Sequence, residues 1–101
     1  MTAFDFTITT ATAKVELAYI LEDKVRFPPK HALITVDGFE AQPIEYLHYD
    51  PAIDAVQVRL VEKFWLGGEE ALIKCLGEAI YGEWDVDTDN AYLNSRLKKF
   101  R

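Results

Sequence analysis

The sequence predicts an α+β domain: an antiparallel β-meander of about four to five strands followed by two C-terminal helices packed on one face. Apolar and polar residues alternate with a period of two through much of residues 1–66, which is typical of half-buried strands. From residue 69 to residue 100, apolar residues instead recur at helical spacing. At 101 residues the chain has the size of one small domain, so we expect a single domain, mainly β over residues 1–66 and mainly α over residues 69–100.

The first two strands are predicted from this alternation. Phe4, Phe6 and Ile8 alternate with polar residues, which favours a strand. Residues 13–22 fit two structures, because their apolar residues alternate as in a strand and also fall on one side of a helix. Their valine, tyrosine and isoleucine content favours the strand, and the helix is left open.

The middle of the chain is predicted to form a hairpin. Residues 31–36 resemble a short strand, Asp37-Gly38 is a strong signal for a two-residue turn, and Phe39 begins the return strand. Pro43 interrupts that return strand, which indicates an edge position or a bulge. Residues 50–54 are predicted to form a loop.

Residues 55–65 carry the strongest strand pattern in the chain. The alternation places the apolar residues Val56, Val58, Leu60 and Phe64 on one face. Gln57, Arg59, Val61, Lys63 and Trp65 are expected on the other face.

Two helices are predicted after Gly67-Gly68. The first begins at Glu69 and Glu70, carries Leu72, Cys75, Leu76, Ala79 and Ile80 on its apolar face, and ends at Gly82. Gly77 lies inside it and indicates a close approach to the sheet. The second helix carries Leu93, Leu97 and Phe100 along one stripe, with Asp87 or Thr88 as its N-cap.

Composition and charge restrict the class of protein. Half of the residues are apolar and the net charge is −6, which indicates a globular chain and argues against a free-standing nucleic-acid binder. The first five residues carry no positive charge on a side chain and no apolar run of about 18 residues occurs, so we expect neither a signal peptide nor membrane contact. The single cysteine, Cys75, has no internal disulfide partner, and together these features predict a cytoplasmic location.

Motifs for metals, phosphates and catalysis are incomplete. Asp85, Asp87 and Asp89 alternate as in a calcium loop, but Asn90 and Arg96 occupy the positions where that loop needs glycine and a bidentate glutamate. After Gly67-Gly68, two glutamates would repel a phosphate. Cys75 is expected to be a small core residue with a raised pKa, and the spacing of the two histidines specifies neither a base for it nor a zinc set. We therefore expect no enzyme activity, no metal and no cofactor.

The excess negative charge coincides with large aromatic residues. Residues 69–90 hold seven acids and only one base, Lys74, whereas residues 91–101 hold four bases and no acid. Aromatic anchors with an acidic rim suit a basic partner, and the alternative, a solvated face that complements helix dipoles, is left open. The predicted partner-binding residues are Trp65, Glu69, Glu70, Glu83, Trp84, Asp85, Asp87, Asp89 and Tyr92. Trp84 is expected to be exposed between its acidic neighbours, whereas Tyr81 is expected to fill the core.

The functional hypothesis is a non-catalytic, acidic protein-binding module. By analogy of size and charge alone, we expect an inhibitor or immunity-type protein, such as a phage anti-defence protein, that blocks a basic nucleic-acid-handling protein or complex without itself touching nucleic acid. The first alternative is a phage or oligomeric structural or assembly protein that pairs strand edges near Pro43 or Phe4, and a homodimer is left open. The second alternative is a small enzyme or ligand-binding domain.

Overall fold

The structure, a computed structural model, describes residues 1–22, 33–36 and 39–101. These residues form strands, two helices and a final 3₁₀ turn. In chain order they are β1 (Thr2–Thr9), β2 (Lys14–Leu21), β3 (Leu33–Ile34), β4 (Gln42–Asp50), β5 (Ala55–Leu60), β6 (Lys63–Phe64), α1 (Glu69–Tyr81), β7 (Asp85–Thr88), α2 (Ala91–Leu97) and the 3₁₀ turn Lys98–Phe100. The α+β class, the strand at residues 13–22 and the two C-terminal helices are confirmed.

The sheet is mixed and, within the described residues, has seven strands, so the predicted antiparallel meander of about four to five strands is wrong in both respects. The strand order is β3-β4-β5-β1-β2-β7, with β6 also paired to β1. Strand β1 is antiparallel to β2 but parallel to both β5 and β6. Parallel partners need a long crossover, and no local pattern in the sequence encodes one. Because β1 is an interior strand, Phe4 lies away from both sheet edges, so the self-pairing edge predicted there is wrong.

The long strand predicted at residues 55–65 is divided into β5 and β6. Val56, Val58 and Leu60 are buried as predicted, but Phe64 is 55% exposed and Trp65 packs against the core instead. The two residues between the strands, Val61 and Glu62, interrupt the ladder and reverse the alternation, as an extra residue in a strand does.

The predicted hairpin lies partly outside the described residues. His31 and the Asp37-Gly38 turn cannot be compared, and the described part of the first strand is Leu33–Ile34. The return strand begins at Gln42 and not at Phe39. Strand β4 shifts register against β5 between Ile44 and Tyr46, directly after Pro43, which confirms the predicted bulge.

Helices α1 and α2 cover one face of the sheet. The buried cluster joins strand residues Phe6, Ile8, Val15, Leu17, Val56, Val58 and Leu60 to helix residues Leu72, Ile73, Leu76, Ala79, Leu93 and Leu97. On the opposite face of the sheet, charged side chains such as Asp5, Glu16 and Arg59 are exposed. This open face therefore presents charge to the solvent.

Helix α1 ends in a Schellman motif. The Glu83 N–H donates to Ile80 O and the Trp84 N–H donates to Ala79 O, each at 3.0 Å. Gly82 is the C-cap, as predicted, but its φ is −79°, and the left-handed residue is Glu83 with a φ of 69°. The motif turns the chain directly into β7 and places Trp84 beside the end of α1.

Two predicted details of the helices are wrong. A Cβ on Gly77 would lie 2.6 Å from the Phe100 ring, so the close approach is to the C-terminal turn and not to the sheet. Residues Asp85–Thr88 form strand β7, and the N-cap of α2 is Asn90, whose Oδ1 accepts a 3.0 Å hydrogen bond from the Leu93 N–H. Alternation of Val86 and Thr88 with aspartates is the signal that indicates this strand.

Candidate protein-binding groove

Four of the predicted partner-binding residues, Trp65, Glu69, Asp87 and Asp89, line a row of three neighbouring depressions. Each depression shares two wall residues with the next, and together they form a shallow groove that leads from the start of α1 to the open face of β2 and β7. The largest residue, Trp65, lies at one end, whereas Asp87 lies at the other. We call this feature the acidic groove; it is lined by Thr10, Ala11, Thr12, Ala13, Lys14, Glu16, Trp65, Gly67, Glu69, Leu72, Asp87, Thr88, Asp89, Asn90, Ala91 and Leu93.

Turns and caps position the walls of this groove. The Thr10 side-chain oxygen accepts hydrogen bonds from the backbone N–H groups of Thr12 and Ala13, at 3.2 and 2.9 Å, which stabilises the β1–β2 turn. The Asn90 cap holds the start of α2 on the opposite wall. At the far end the Trp65 indole N–H donates to Gly68 O at 3.2 Å.

The groove is strongly acidic. Its lining includes four carboxylates, on Glu16, Glu69, Asp87 and Asp89, and among the described residues that line it Lys14 is the only cation. Glu16 is the register partner of Asp87 across the antiparallel β2–β7 pair, so the two side chains share one face of the sheet. Like charges directly opposite destabilise a sheet, so fold stability alone does not explain this pairing.

Glu70 and Tyr92 lie outside the groove lining and are connected to each other through Arg96. Arg96 donates to both carboxylate oxygens of Glu70, at 2.7 and 2.8 Å, and to the Tyr92 hydroxyl at 2.7 Å. The hydrogen bonds that Arg96 donates to Glu70 lower the pKa of Glu70 below its usual value, and the hydrogen bonds that Arg96 donates to Glu70 and Tyr92 raise the pKa of Arg96. The Glu70 charge is therefore already neutralised within the chain.

The expected exposures of Trp84 and Tyr81 are reversed. Trp84 is only 8% exposed and packs on Tyr19, with ring centroids 5.4 Å apart, whereas Tyr81 is 75% exposed. The reason is the turn at the end of α1, which directs Trp84 inward although both of its sequence neighbours are acidic. Trp84 is consequently a core residue and offers little surface to a partner.

The remaining predicted residues lie near the groove but do not line it. Asp85 alternates with the buried Val86 and is exposed on the same face of β7 as Asp87. Glu83 lies in the turn before β7 and is exposed. Of the nine predicted residues, the structure brings four into the groove and places Asp85 beside them.

Three contributors were not predicted from the sequence. Glu16 and Lys14 occupy outward-facing positions of β2, 50 or more residues away from the acidic segment in the chain, and only the β2–β7 pairing brings them together with it. Leu66 is 88% exposed next to Trp65, although its sequence context resembles a strand end. In the sequence, the signal for Leu66 is its position between Trp65 and Gly67-Gly68, where a strand ends and an apolar side chain has no partner strand to pack on.

The main-chain edge of β7 is covered. This strand ends the sheet order, and Arg101 and Asn94 donate side-chain hydrogen bonds to Val86 O and Thr88 O, at 2.6 and 2.7 Å. Arg101 also donates to the Asn94 side-chain oxygen at 3.1 Å. Side chains thus occupy the carbonyl groups that an added strand would need, so this edge is protected.

Cys75 and His48, the described residues considered as a nucleophile and a base, both pack against neighbouring side chains. Cys75 is half-buried on α1, and desolvation raises the pKa of its thiol, as predicted. His48 stacks on Tyr46 on β4, with an angle of 15° between the rings. Within residues 1–22, 33–36 and 39–101, no three His, Cys, Asp or Glu side chains are arranged to hold a metal ion.

Comparisons of the chain with protein-family models, with curated proteins and with solved structures find no match. Among the described residues, no helix combines the length and apolar character that a membrane crossing requires. Function is therefore inferred from the shape and charge of the acidic groove.

Proposed function

We propose that this protein is a non-catalytic binding module that holds a basic segment of another protein in the acidic groove. The observation that carries the proposal is the convergence of Glu16, Glu69, Asp87 and Asp89 around one groove with an aromatic ring, Trp65, at its end. A cleft lined by one sign of charge attracts a partner of the opposite sign and orients it during encounter.

Side chains, and not the sheet edge, supply the contacts in this proposal. The edge of β7 is covered by Arg101 and Asn94, which disfavours the addition of a partner strand there. A cation of the partner that lies between the Glu16 and Asp87 carboxylates reduces the repulsion between these two negative charges. Leu66, exposed beside Trp65, adds an apolar contact at the rim of the groove.

The more specific form of the proposal concerns inhibition. A row of carboxylates presents closely spaced negative charges, as a nucleic-acid backbone does, so a protein that binds phosphates through Lys and Arg offers the complementary surface. Occupation of that surface by this chain excludes nucleic acid from it. The partner is then a basic nucleic-acid-handling protein, and the activity of this chain is inhibition without catalysis.

Charge reversal within the groove tests the proposal. The full chain is immobilised, basic proteins are captured from a native lysate, and the wild type is compared with the Asp87→Lys/Asp89→Lys variant. We expect the wild type to retain basic proteins that are released at high salt, and the variant to lose at least about nine-tenths of them.

A matched control separates the groove from net charge. Glu40→Lys/Glu45→Lys changes the charge by the same amount at exposed positions outside the groove lining. We expect this control to retain the captured proteins, and thermal unfolding verifies that both variants fold. Equal retention by wild type and groove variant, or equal loss in both variants, contradicts the proposal.

A further inference from the structure

One arginine of the chain, Arg96, is bound by a carboxylate and an aromatic ring, and the acidic groove contains a carboxylate and an aromatic ring without an arginine. Arg96 lies between the Glu70 carboxylate, which accepts two hydrogen bonds, and the Tyr92 ring, whose centroid is 5.8 Å from the guanidinium carbon. One residue earlier on α1, Glu69 lines a cavity together with the Trp65 ring. Carboxylate and aromatic ring recur there, but among the described residues no arginine or lysine lines that cavity.

The cavity is preformed and has room for a side chain. Its volume is about 270 Å³, and its walls include Trp65, Glu69, Thr12 and Asn90. The Trp65 indole is held in place by its hydrogen bond to Gly68 O, and a Cβ on Gly67 would lie only 3.0 Å from the ring. The ring N–H is thus already used within the chain, so the indole offers an occupant its aromatic carbon surface and no free hydrogen-bond donor.

The sign of the local charge favours a cation. The N-terminus of α1 borders the cavity and carries the equivalent of only about half a positive charge. The Glu69 carboxylate carries a full negative charge, and it makes no hydrogen bond or ion pair with the described residues. Asp89 and Asp87 further along the groove add to the negative potential.

We propose that this cavity binds an arginine side chain of the basic partner, an inference that rests on the proposed function and locates its specificity. The guanidinium plane stacks on the Trp65 ring and donates two hydrogen bonds to the Glu69 carboxylate. Arginine suits the site better than lysine, because the planar guanidinium matches both the ring and the carboxylate fork. The pair Arg96–Glu70 shows the same recognition within this chain.

The probe is the capped peptide acetyl-Gly-Arg-Gly-amide, titrated into the full chain and followed by the indole N–H signals in NMR spectra. We expect the Trp65 indole signal to shift and saturate while the buried Trp84 indole signal stays in place. The same peptide with citrulline, which is neutral but nearly isosteric, is the chemical control. The arginine peptide is expected to bind at least about tenfold more tightly than the citrulline peptide.

Substitutions on α1 provide the matched variants. Glu69→Gln is expected to weaken arginine-peptide binding at least about tenfold, whereas Glu78→Gln, which removes the same charge from an exposed position on the same helix, leaves it unchanged. Trp65→Leu removes the π surface and is expected to abolish the saturable shift of the Glu69 amide. Equal binding of the citrulline peptide, unchanged binding by Glu69→Gln, or the absence of any saturable shift overturns the arginine site.

Failure of this inference is distinct from failure of the proposed function. If wild-type chain captures basic proteins through Asp87 and Asp89 but ignores the arginine peptide, the arginine site is wrong and the groove remains a protein-binding surface. If the Asp87→Lys/Asp89→Lys variant captures basic proteins as well as the wild type does, the proposed function is wrong, regardless of whether the arginine peptide binds.

Discussion

Arg96 on α2 binds Glu70 in the first turn of α1 through two hydrogen bonds, joining helices whose paired residues lie 26 positions apart in the chain. The contact is exposed, so it contributes modestly to stability. The contact affects the charge of the surface more than it affects the stability of the fold. It pairs one of the two carboxylates that begin α1, whereas the other, Glu69, lines the acidic groove and has no ion-pair partner among the described residues.

The Arg96–Glu70 contact predicts a pH dependence. The pKa of Glu70 is lower in the folded chain than its ordinary value of 4.5, so the contact stabilises the fold above that pH and is lost as the pH falls through the folded value. The wild type should unfold about 1–3 °C above Glu70→Gln at pH 7, and the two unfolding temperatures should converge as the pH falls below 4.5. Glu78→Gln serves as the control, and a pH-independent difference for Glu70→Gln contradicts the prediction.

The burial of Trp84 predicts a large loss of stability on truncation. Trp84→Ala removes a ring that packs on Tyr19 and should lower the free energy of unfolding by about 3–5 kcal/mol. Tyr81→Ala removes an exposed ring and should lower it by about 1 kcal/mol or less. Chemical denaturation of the two variants provides the comparison, and a greater effect for Tyr81→Ala is incompatible with this structure.

Glu83 occupies a backbone conformation that suits glycine. With a φ of 69°, its Cβ is strained, so Glu83→Gly should raise the free energy of unfolding by about 0.5–1 kcal/mol. Glu83→Ala also removes the charge but keeps the Cβ, and it should give no comparable gain. Equal stabilisation by both substitutions would attribute the effect to charge and refute the backbone explanation.

Gly77 and Phe100 are predicted to be energetically coupled. Gly77→Ala favours the helix by up to about 1 kcal/mol but places a Cβ 2.6 Å from the Phe100 ring, so in the wild-type background it should lower the free energy of unfolding by about 1 kcal/mol. In a Phe100→Ala background the same substitution should raise it. A double-mutant cycle measures the coupling, and additive effects would show that the ring is not in contact.

The Glu16–Asp87 pair predicts opposite effects on stability and binding. Glu16→Lys replaces like charges across β2 and β7 with opposite charges, which should stabilise the fold by about 0.5 kcal/mol. The same substitution adds a cation to the acidic groove and should reduce capture of basic proteins. Thermal unfolding and capture are measured on the same sample, and a variant that gains stability while retaining full capture places the binding surface elsewhere.

Local structure could largely be predicted from the sequence. The alternation over Phe4 to Ile8, the preference for strand at residues 13–22 and the helical spacing from Glu69 to Gly82 all predict elements that the structure contains. Each signal depends on residues a few positions apart, and the period of burial is set by the geometry of the element itself. Strand β7 was missed because its aspartates resemble a loop, although Val86 and Thr88 alternate with them.

The candidate site was predicted only in part, because its two halves come from distant segments. The charge map located Glu69, Asp87 and Asp89, but Glu16 joins them only through the β2–β7 pairing. The acidic neighbours of Trp84 suggested an exposed ring, whereas the turn with Glu83 in the left-handed conformation directs it into the core. Sequence neighbours do not report the direction of a side chain after such a turn.

By itself, the sequence determined the α+β class, the segment of concentrated negative charge and the limits of α1. The tertiary structure alone decided that β1 lies between β2 and β5, that Trp84 is buried and that Trp65 and Glu69 share one groove with Glu16 and Asp87. The physical reason is the range of the interactions. Periodicity and capping act over a few residues, whereas strand order and the convergence of charges follow from how the whole core packs.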